Sequence, residues 1–505
     1  MNITLISPYP DVTAIGVRIL SSVLRQAGYT TRIIFLRDPF GDDLQYGARR
    51  YPDNVIDELA DLCADSGLVG ISLMTNFFDN AVEITKGLQK RLSVPVIWGG
   101  VHPTIRPEEC LKYADIICRG EGEQSLTELA RCIDNYKDYS TIPGLGMTID
   151  GEKRINPVPP PELNLDSLPL PDYSLTEHYV LKDNSIIAMT HKLMEEMLRR
   201  GTVSDMLSLT GYQTMTSRGC PFACTYCVND MINKIYGGKG KLRWRSIDNL
   251  MEELLWVKNN MPYIGYIWFS DDEFFARKPA ELAQFAREYK EKIGLPFSCL
   301  ISPMSVTREK MAMMVDAGLI YVQMGVESAS KKMQGIFNRQ MMHNDRMIQA
   351  IGIINEFKDR LYPPSYDFLL DVPGETDSDI LDSLHFISNI PKPYRLQPFE
   401  LIPYPGTEMY NIAKQQGLIV DEHRQIYNRS YTMRKPTYLN LLFSLCRTGR
   451  FPHFLLKILL SRPCLLLFNN RFARPLVSLL YNTGKLIRRK TRKQPAVHLA
   501  SAQQN

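Results

Sequence analysis

Along the first 150 residues, short apolar runs alternate with stretches of helical periodicity. Residues 3–6 read as a strand, and 16–27 as an amphipathic helix that stops near Gly28. Further strands are expected at 31–36, 69–73, 95–98 and 114–118, with helices at 79–91 and 125–133. Apolar runs spaced by helices and buried on both faces predict a doubly wound, Rossmann-like parallel sheet in an α/β fold. Ligands of such sheets sit beyond the carboxyl ends of the strands. Those ends carry Thr75 and Asn76, then Gly99, Gly100 and His102, then Gly120 and Glu121.

The pattern breaks at Pro157, Pro159, Pro160, Pro161, Pro169 and Pro171, a density that suits a semi-rigid linker. Residues 178–200 read as a connecting helix. A strand–helix rhythm then resumes, with strands at 213–217, 263–270, 297–301, 320–325, 365–370 and 395–402. Six such units predict a partial (β/α)6 barrel with its chemistry at the carboxyl ends of the strands. The expected organisation is therefore a sheet domain over 1–150, a Pro-rich linker and helix over 151–205, a barrel over 206–410 and a basic C-terminal region over 411–505.

Composition narrows the class. A chain of 505 residues, 44% hydrophobic and 23% charged, is long enough for several cores, and it is neither collagen-like nor disordered. Ten cysteines are too few for a secreted disulfide framework. No signal peptide is expected in the N-terminal segment, and no apolar run reaches the roughly 18 residues of a membrane span. These features predict a cytoplasmic protein. The net charge of +4 conceals an asymmetry, because the 83 residues from His423 onward hold 16 of the 59 Lys/Arg and none of the 55 Asp/Glu.

Cys220, Cys224 and Cys227 crowd one loop after the first barrel strand, within the run Ser217-Arg218-Gly219-Cys220-Pro221-Phe222-Ala223-Cys224-Thr225-Tyr226-Cys227. Three thiolates there suit a soft metal or an iron–sulfur cluster. A zinc knuckle with a distant fourth ligand is the structural alternative. The remaining cysteines are scattered and read as small buried apolar residues.

On this loop the sequence resembles the radical S-adenosylmethionine (SAM) superfamily, and more narrowly its members with an N-terminal cobalamin-binding domain. The resemblance extends over about residues 1–410. It implies that Cys220, Cys224 and Cys227 bind a 4Fe-4S cluster whose free iron chelates SAM, giving a 5′-deoxyadenosyl radical on reduction. Tyr226 matches the aromatic residue beside the adenine. Asp271, Asp272 and Glu273 match the acidic segment near the SAM amino end, with a solvated acidic loop as the alternative. Glu327 and Ser328 match a ribose-binding segment, a reading compatible with a helix cap. Residues 371–376 resemble a shaping turn of the family, and 403–407 are expected to close the barrel. Thr75, Asn76, Gly99, Gly100, His102, Gly120 and Glu121 fall in segments similar to those that meet cobalamin. The motif that supplies a lower axial histidine in other cobalamin domains is absent, and a capping or core role for His102 is as well supported as ligation.

The resemblance implies a cobalamin-dependent methyltransferase acting on an unactivated carbon of a small or lipid-like molecule, with an electron donor such as flavodoxin or ferredoxin. A radical SAM cyclase, or an oxidising or rearranging enzyme on a lipid or tetrapyrrole, is the alternative, and a cobalamin sensor or carrier the non-enzymatic one. The C-terminal region alternates Leu/Phe clusters with Lys and Arg. That pattern fits interfacial helices on an anionic membrane, with peripheral attachment at its inner face. A helical cap on the barrel is the competing reading, and nucleic-acid binding is disfavoured by sparse aromatic–basic interleaving. Residues from 494 on are expected to be disordered.

Overall fold

The N-terminal segment forms a nine-stranded sheet built from β1 (Asn2–Ser7), β2 (Thr30–Phe35), β3 (Ser66–Ser72), β4 (Val96–Gly99), β5 (Ile116–Cys118), β6 (Leu145–Ile149), β7 (Glu152–Ile155), β8 (His178–Lys182) and β9 (Ser185–Ala188). The strand order is β7-β6-β5-β4-β3-β1-β2-β8-β9. The strands β5-β4-β3-β1-β2 and β8 are parallel, and antiparallel strands flank them at both edges. The winding reverses between β1 and β3, the switch point at which open α/β sheets bind ligands. This computed structural model describes residues 1–9, 11–36, 51–238, 242–429, 431, 433 and 435–491. The last two residues of the basic end, 492–493, and the segment from 494 lie outside them.

Burial explains these strands. Ile6, Ile34, Val69, Ile71, Val96, Trp98 and Ile117 form one core with the inner faces of the helices Asp53–Cys63 and Phe78–Gln89. The first of these helices was not foreseen. Residues 178–188 correct an expectation, because they form the hairpin β8–β9, and only His191–Arg199 is helical. Asp183 and Asn184 both take positive φ, at 51° and 62°. Asn and Asp tolerate the left-handed region and close tight hairpins of this kind.

The second sheet runs in sequence order, all parallel: β10 (Gly211–Thr214), then, after the short ribbon β11 (Ser217–Arg218) with β12 (Arg243–Trp244), β13 (Tyr266–Phe269), β14 (Phe297–Ile301), β15 (Leu319–Glu327), β16 (Ser365–Leu370) and β17 (Arg395–Glu400). This is the partial barrel expected from the sequence. The helices Tyr438–Cys446, His453–Leu459, Arg462–Phe468 and Arg474–Thr491 follow.

By packing, the chain divides into two units. The first joins Met1–Met197 with Ser217–Asn249 and the segment 402–429, and the second joins Leu198–Thr216 with Leu250–Leu401 and the described residues from Tyr431 on. The cysteine loop therefore packs with the nine-stranded sheet. So does the segment 403–407, which was expected to close the barrel. Thr407 caps the helix Glu408–Gln415, its hydroxyl accepting from the Tyr410 N–H at 3.2 Å.

Candidate active site

The cysteine loop starts from an electrostatic problem. Arg218 and Arg243 are directly opposite in the β11–β12 ribbon, where like charges repel. Glu121 resolves it. Its carboxylate lies 2.5 Å from Arg243 and 3.4 Å from Arg218, while Glu123 lies 2.5 Å from Arg218. Burial would raise the Glu121 carboxyl, but the Arg243 hydrogen bond and both guanidiniums hold it below the usual range. The Tyr236 hydroxyl accepts from the Glu121 N–H at 2.8 Å, and burial pushes that phenol up to about 12. Glu121, expected at the cobalamin, is thus committed to holding the cysteine loop onto the carboxyl end of β5.

Gly219, at φ 89°, turns the chain from Arg218 into Cys220. Cys224 is buried and Cys220 and Cys227 are half-buried, and none of the three is in a disulfide. The Cys227 N–H donates to the Cys224 carbonyl at 3.0 Å, and the helix Val228–Ile235 starts directly after Cys227. A helix N-terminus there favours a thiolate. The Thr225 carbonyl accepts from the Met409 N–H at 3.0 Å, a second anchor. Tyr226 is half-buried. Among the described residues no three His, Cys, Asp or Glu side chains converge on a single metal-ion position. A four-iron cluster needs no such convergence, because each thiolate binds a different iron. A donor set of three cysteines outside any disulfide fits it.

At the switch-point end of the sheet, Thr75 and His102 are buried and bonded to each other, Thr75 Oγ1 to His102 Nδ1 at 3.0 Å. His102 Nε2 faces Glu109 at 3.6 Å, and its ring lies edge-on to Phe78 and Tyr427. His102 is therefore a core residue. Asn76 accepts from the Tyr404 hydroxyl at 2.8 Å and donates to the Arg429 carbonyl at 3.1 Å. Gly100 is required by packing, since it sits at φ 102° and a Cβ there would strike the Leu73 carbonyl. Gly99 differs. A Cβ there would meet only Cys118, at 3.9 Å, so no neighbouring atom excludes a side chain. Space over a glycine at a strand end fits the close approach of a flat ring such as a corrin.

In the barrel, the three consecutive acids have different surroundings. Asp271 is fully buried and accepts from the Thr216 N–H at 2.9 Å and from its hydroxyl at 3.0 Å, fixing the chain just past β10. Asp272 is exposed. Glu273 is buried and accepts from Ser305 at 2.6 Å, and burial pushes its carboxyl up to about 7. Glu327 ends β15 with φ 65°, a left-handed conformation that a non-glycine residue adopts only where its surroundings enforce it. Its carboxylate folds over Gly325, whose carbonyl accepts from Arg339 at 2.7 Å. Asp367, one strand over, is driven well above the carboxylate range by burial and then by the Glu327 charge. Ser328 is turned inward, accepting from the Ser330 N–H at 3.1 Å in the turn before the helix Lys331–Ile336.

The sequence reading missed Arg243, Tyr236 and the role of 408–429, and it set 403–407 at the barrel. Arg243 carries no local signal, since its role exists only opposite Arg218 and Glu121.

Residues 1–130 match the B12 binding domain and residues 214–387 the Radical SAM superfamily. The chain is 26% identical over 396 residues to a bacteriochlorophyllide d C-8(2)-methyltransferase of Chlorobaculum tepidum, covering 75% of each chain. It is also 26% identical over 364 residues to an uncharacterised methyltransferase of Pyrococcus horikoshii, covering 70% of this chain and 71% of that one. A cobalamin-dependent S-adenosylmethionine radical enzyme, OxsB, solved with aqua-cobalamin bound, superposes with a TM-score of 0.66 at 16% identity, covering 98% of this chain and 81% of that one. The chain therefore joins a B12 binding domain to a radical SAM domain.

Proposed function

We propose that this enzyme methylates an unactivated carbon of a small or lipid-like molecule. One observation carries the reading: the cysteine loop and the glycine-bearing ends of β4 and β5 belong to one folded unit, joined through Arg218, Arg243 and Glu121. Cys220, Cys224 and Cys227 would hold the 4Fe-4S cluster, Tyr226 and Glu327 would meet SAM, and the space over Gly99 would take the corrin. When bound, the cluster with SAM supplies hydrogen abstraction and methylcobalamin supplies the methyl group, with the electron delivered by a flavodoxin or ferredoxin.

The chain's own contribution is placement. Arg218 and Gly219 set where Cys220 emerges, and the Thr225–Met409 bond fixes the far side of the loop. The left-handed backbone at Glu327 aims a carboxylate suited to accept from ribose hydroxyls. The chain should be reconstituted anaerobically with iron and sulfide, loaded with hydroxocobalamin and desalted. Retained corrin bands, with cluster absorbance that disappears in a Cys220/Cys224/Cys227 triple-alanine variant, are expected. A cluster without retained corrin would overturn the methyltransferase reading, and corrin without a cluster would leave a cobalamin carrier.

A further inference from the structure

We infer that the C-terminal helices form a docking face for an anionic lipid bilayer. The inference stands on its own observations and does not depend on the methylation reading. From His423 onward the chain has no acidic residue, so nothing in this segment neutralises its cations. The two helices His453–Leu459 and Arg462–Phe468 bury few of their side chains. Leu456, Leu460, Val477 and Tyr481 are buried, the Tyr481 hydroxyl donates to the Met433 carbonyl at 3.0 Å, and Tyr438 stacks on Phe468.

Many large apolar side chains from 454 to 480 are in water. Phe454, Leu466, Leu467, Phe472, Leu479 and Leu480 are between 51% and 81% exposed. Singly exposed leucines are ordinary, but six large apolar side chains exposed within residues 454–480 are the kind of exposure that marks an interaction surface. Lys457, Arg462, Arg471 and Arg474 are exposed among them, and the Arg471 guanidinium lies 4.9 Å from the centre of the Phe472 ring. Exposed apolar and cationic side chains thus alternate along residues 454–480.

Charge decides between occupants. A second copy of this chain would set the same cationic patch against itself in a closed dimer, with no carboxylate from this segment to offset it. A bilayer crossing is excluded by length, since each seven-residue helix is about 10 Å long against a hydrocarbon core of about 30 Å. No helix among the described residues is long and apolar enough to span. An anionic membrane surface supplies both requirements, phosphates for the cations and an acyl boundary for the Leu and Phe side chains.

The test is flotation of the full-length chain with vesicles of phosphatidylglycerol and phosphatidylcholine in equal parts, against phosphatidylcholine alone. Binding to the anionic vesicles is expected, weakening as salt rises. Each cation near such a surface multiplies affinity about fivefold. The variant K457Q/R462Q/R471Q/R474Q should therefore lose at least tenfold, and L466S/L467S/F472S should lose binding at any salt. All these side chains are exposed, so both variants should keep the parent's melting temperature and corrin retention. No flotation, or equal flotation on both vesicle types, would overturn the inference. So would self-association without lipid that F472S abolishes, which would assign the face to a second copy.

Discussion

Arg218 and Arg243 could each have paired with any surface acid, but the ribbon forces them opposite one another and leaves Glu121 and Glu123 to balance them. Arg218 is largely shielded from water, so removing its charge leaves two acids sharing one guanidinium. The Arg218→Gln variant should lose about 1–3 kcal/mol of local stability. Its reduced cluster content should fall, with an altered electron paramagnetic resonance line shape, and Arg218→Lys should restore part of both. An unchanged signal with only a lower melting temperature would make Arg218 structural and nothing more. Glu273 carries a separate prediction. Burial raises its carboxyl from 4.5 to about 7. The folded state then keeps a proton that the unfolded state releases between those values, so stability falls as pH rises through that window, by on the order of 3 kcal/mol in total. Glu273→Gln keeps an acceptor for Ser305 and should lessen the fall in melting temperature between pH 5 and 8, leaving the part that Glu375, also raised by burial to about 7, contributes; a slope identical to the parent's would refute the assignment. The three cysteines were legible because their chemistry is local. Glu121 was legible as a residue at a strand end but not in its role, since its partners lie about 100 positions away and neither periodicity nor composition encodes them.

Strands and helices were read well wherever one hydrophobic period ran undisturbed. Two barrel strands, Phe297–Ile301 and Ser365–Leu370, occur where the pattern put them, because burial on both faces leaves them mostly apolar, with only Ser298, Ser365 and Asp367 interrupting. The hairpin β8–β9 was misread as helix for an equally physical reason. Val180 and Leu181 are consecutive and both buried, which blurs a two-residue period, and the turn at Asp183–Asn184 contains no glycine to announce it. The turn after β16 shows local chemistry and fold agreeing. Gly374 takes φ 80°, and Thr376 and Asp379 form a capping box that starts the helix Asp377–Ile387. Six residues there both end a strand and launch a helix, which is why the segment reads as a shaping element from sequence alone.

At the scale of the whole molecule, the linear order of segments and the packing order differ. The segment 402–429 follows the last barrel strand, yet Ile402, Tyr410, Ile426 and Tyr427 lie in the core of the first unit. Tyr427 is the keystone: its ring is 5.3 Å from both Phe78 and His102, and its hydroxyl donates to Glu109 at 2.8 Å. Around it, His423 pairs with Asp79 at 3.2 Å and Arg106 with Glu422 at 3.2 Å. Removing the ring leaves a cavity beside Phe78 and His102 and deprives Glu109 of its donor, so Tyr427→Ala should cost about 3–5 kcal/mol. Because stability is local, the loss should fall on the first unit. Hydrogen exchange should quicken across β3, β4 and the helix Phe78–Gln89, corrin retention should drop, and protection in β14 to β16 should stay at the parent level. Tyr427→Phe, which keeps the ring and loses only the hydroxyl, should show a smaller effect in the same strands. Faster exchange in β14 to β16 with β3 and β4 unchanged would mean that the segment supports the barrel after all, as its position in the sequence had suggested.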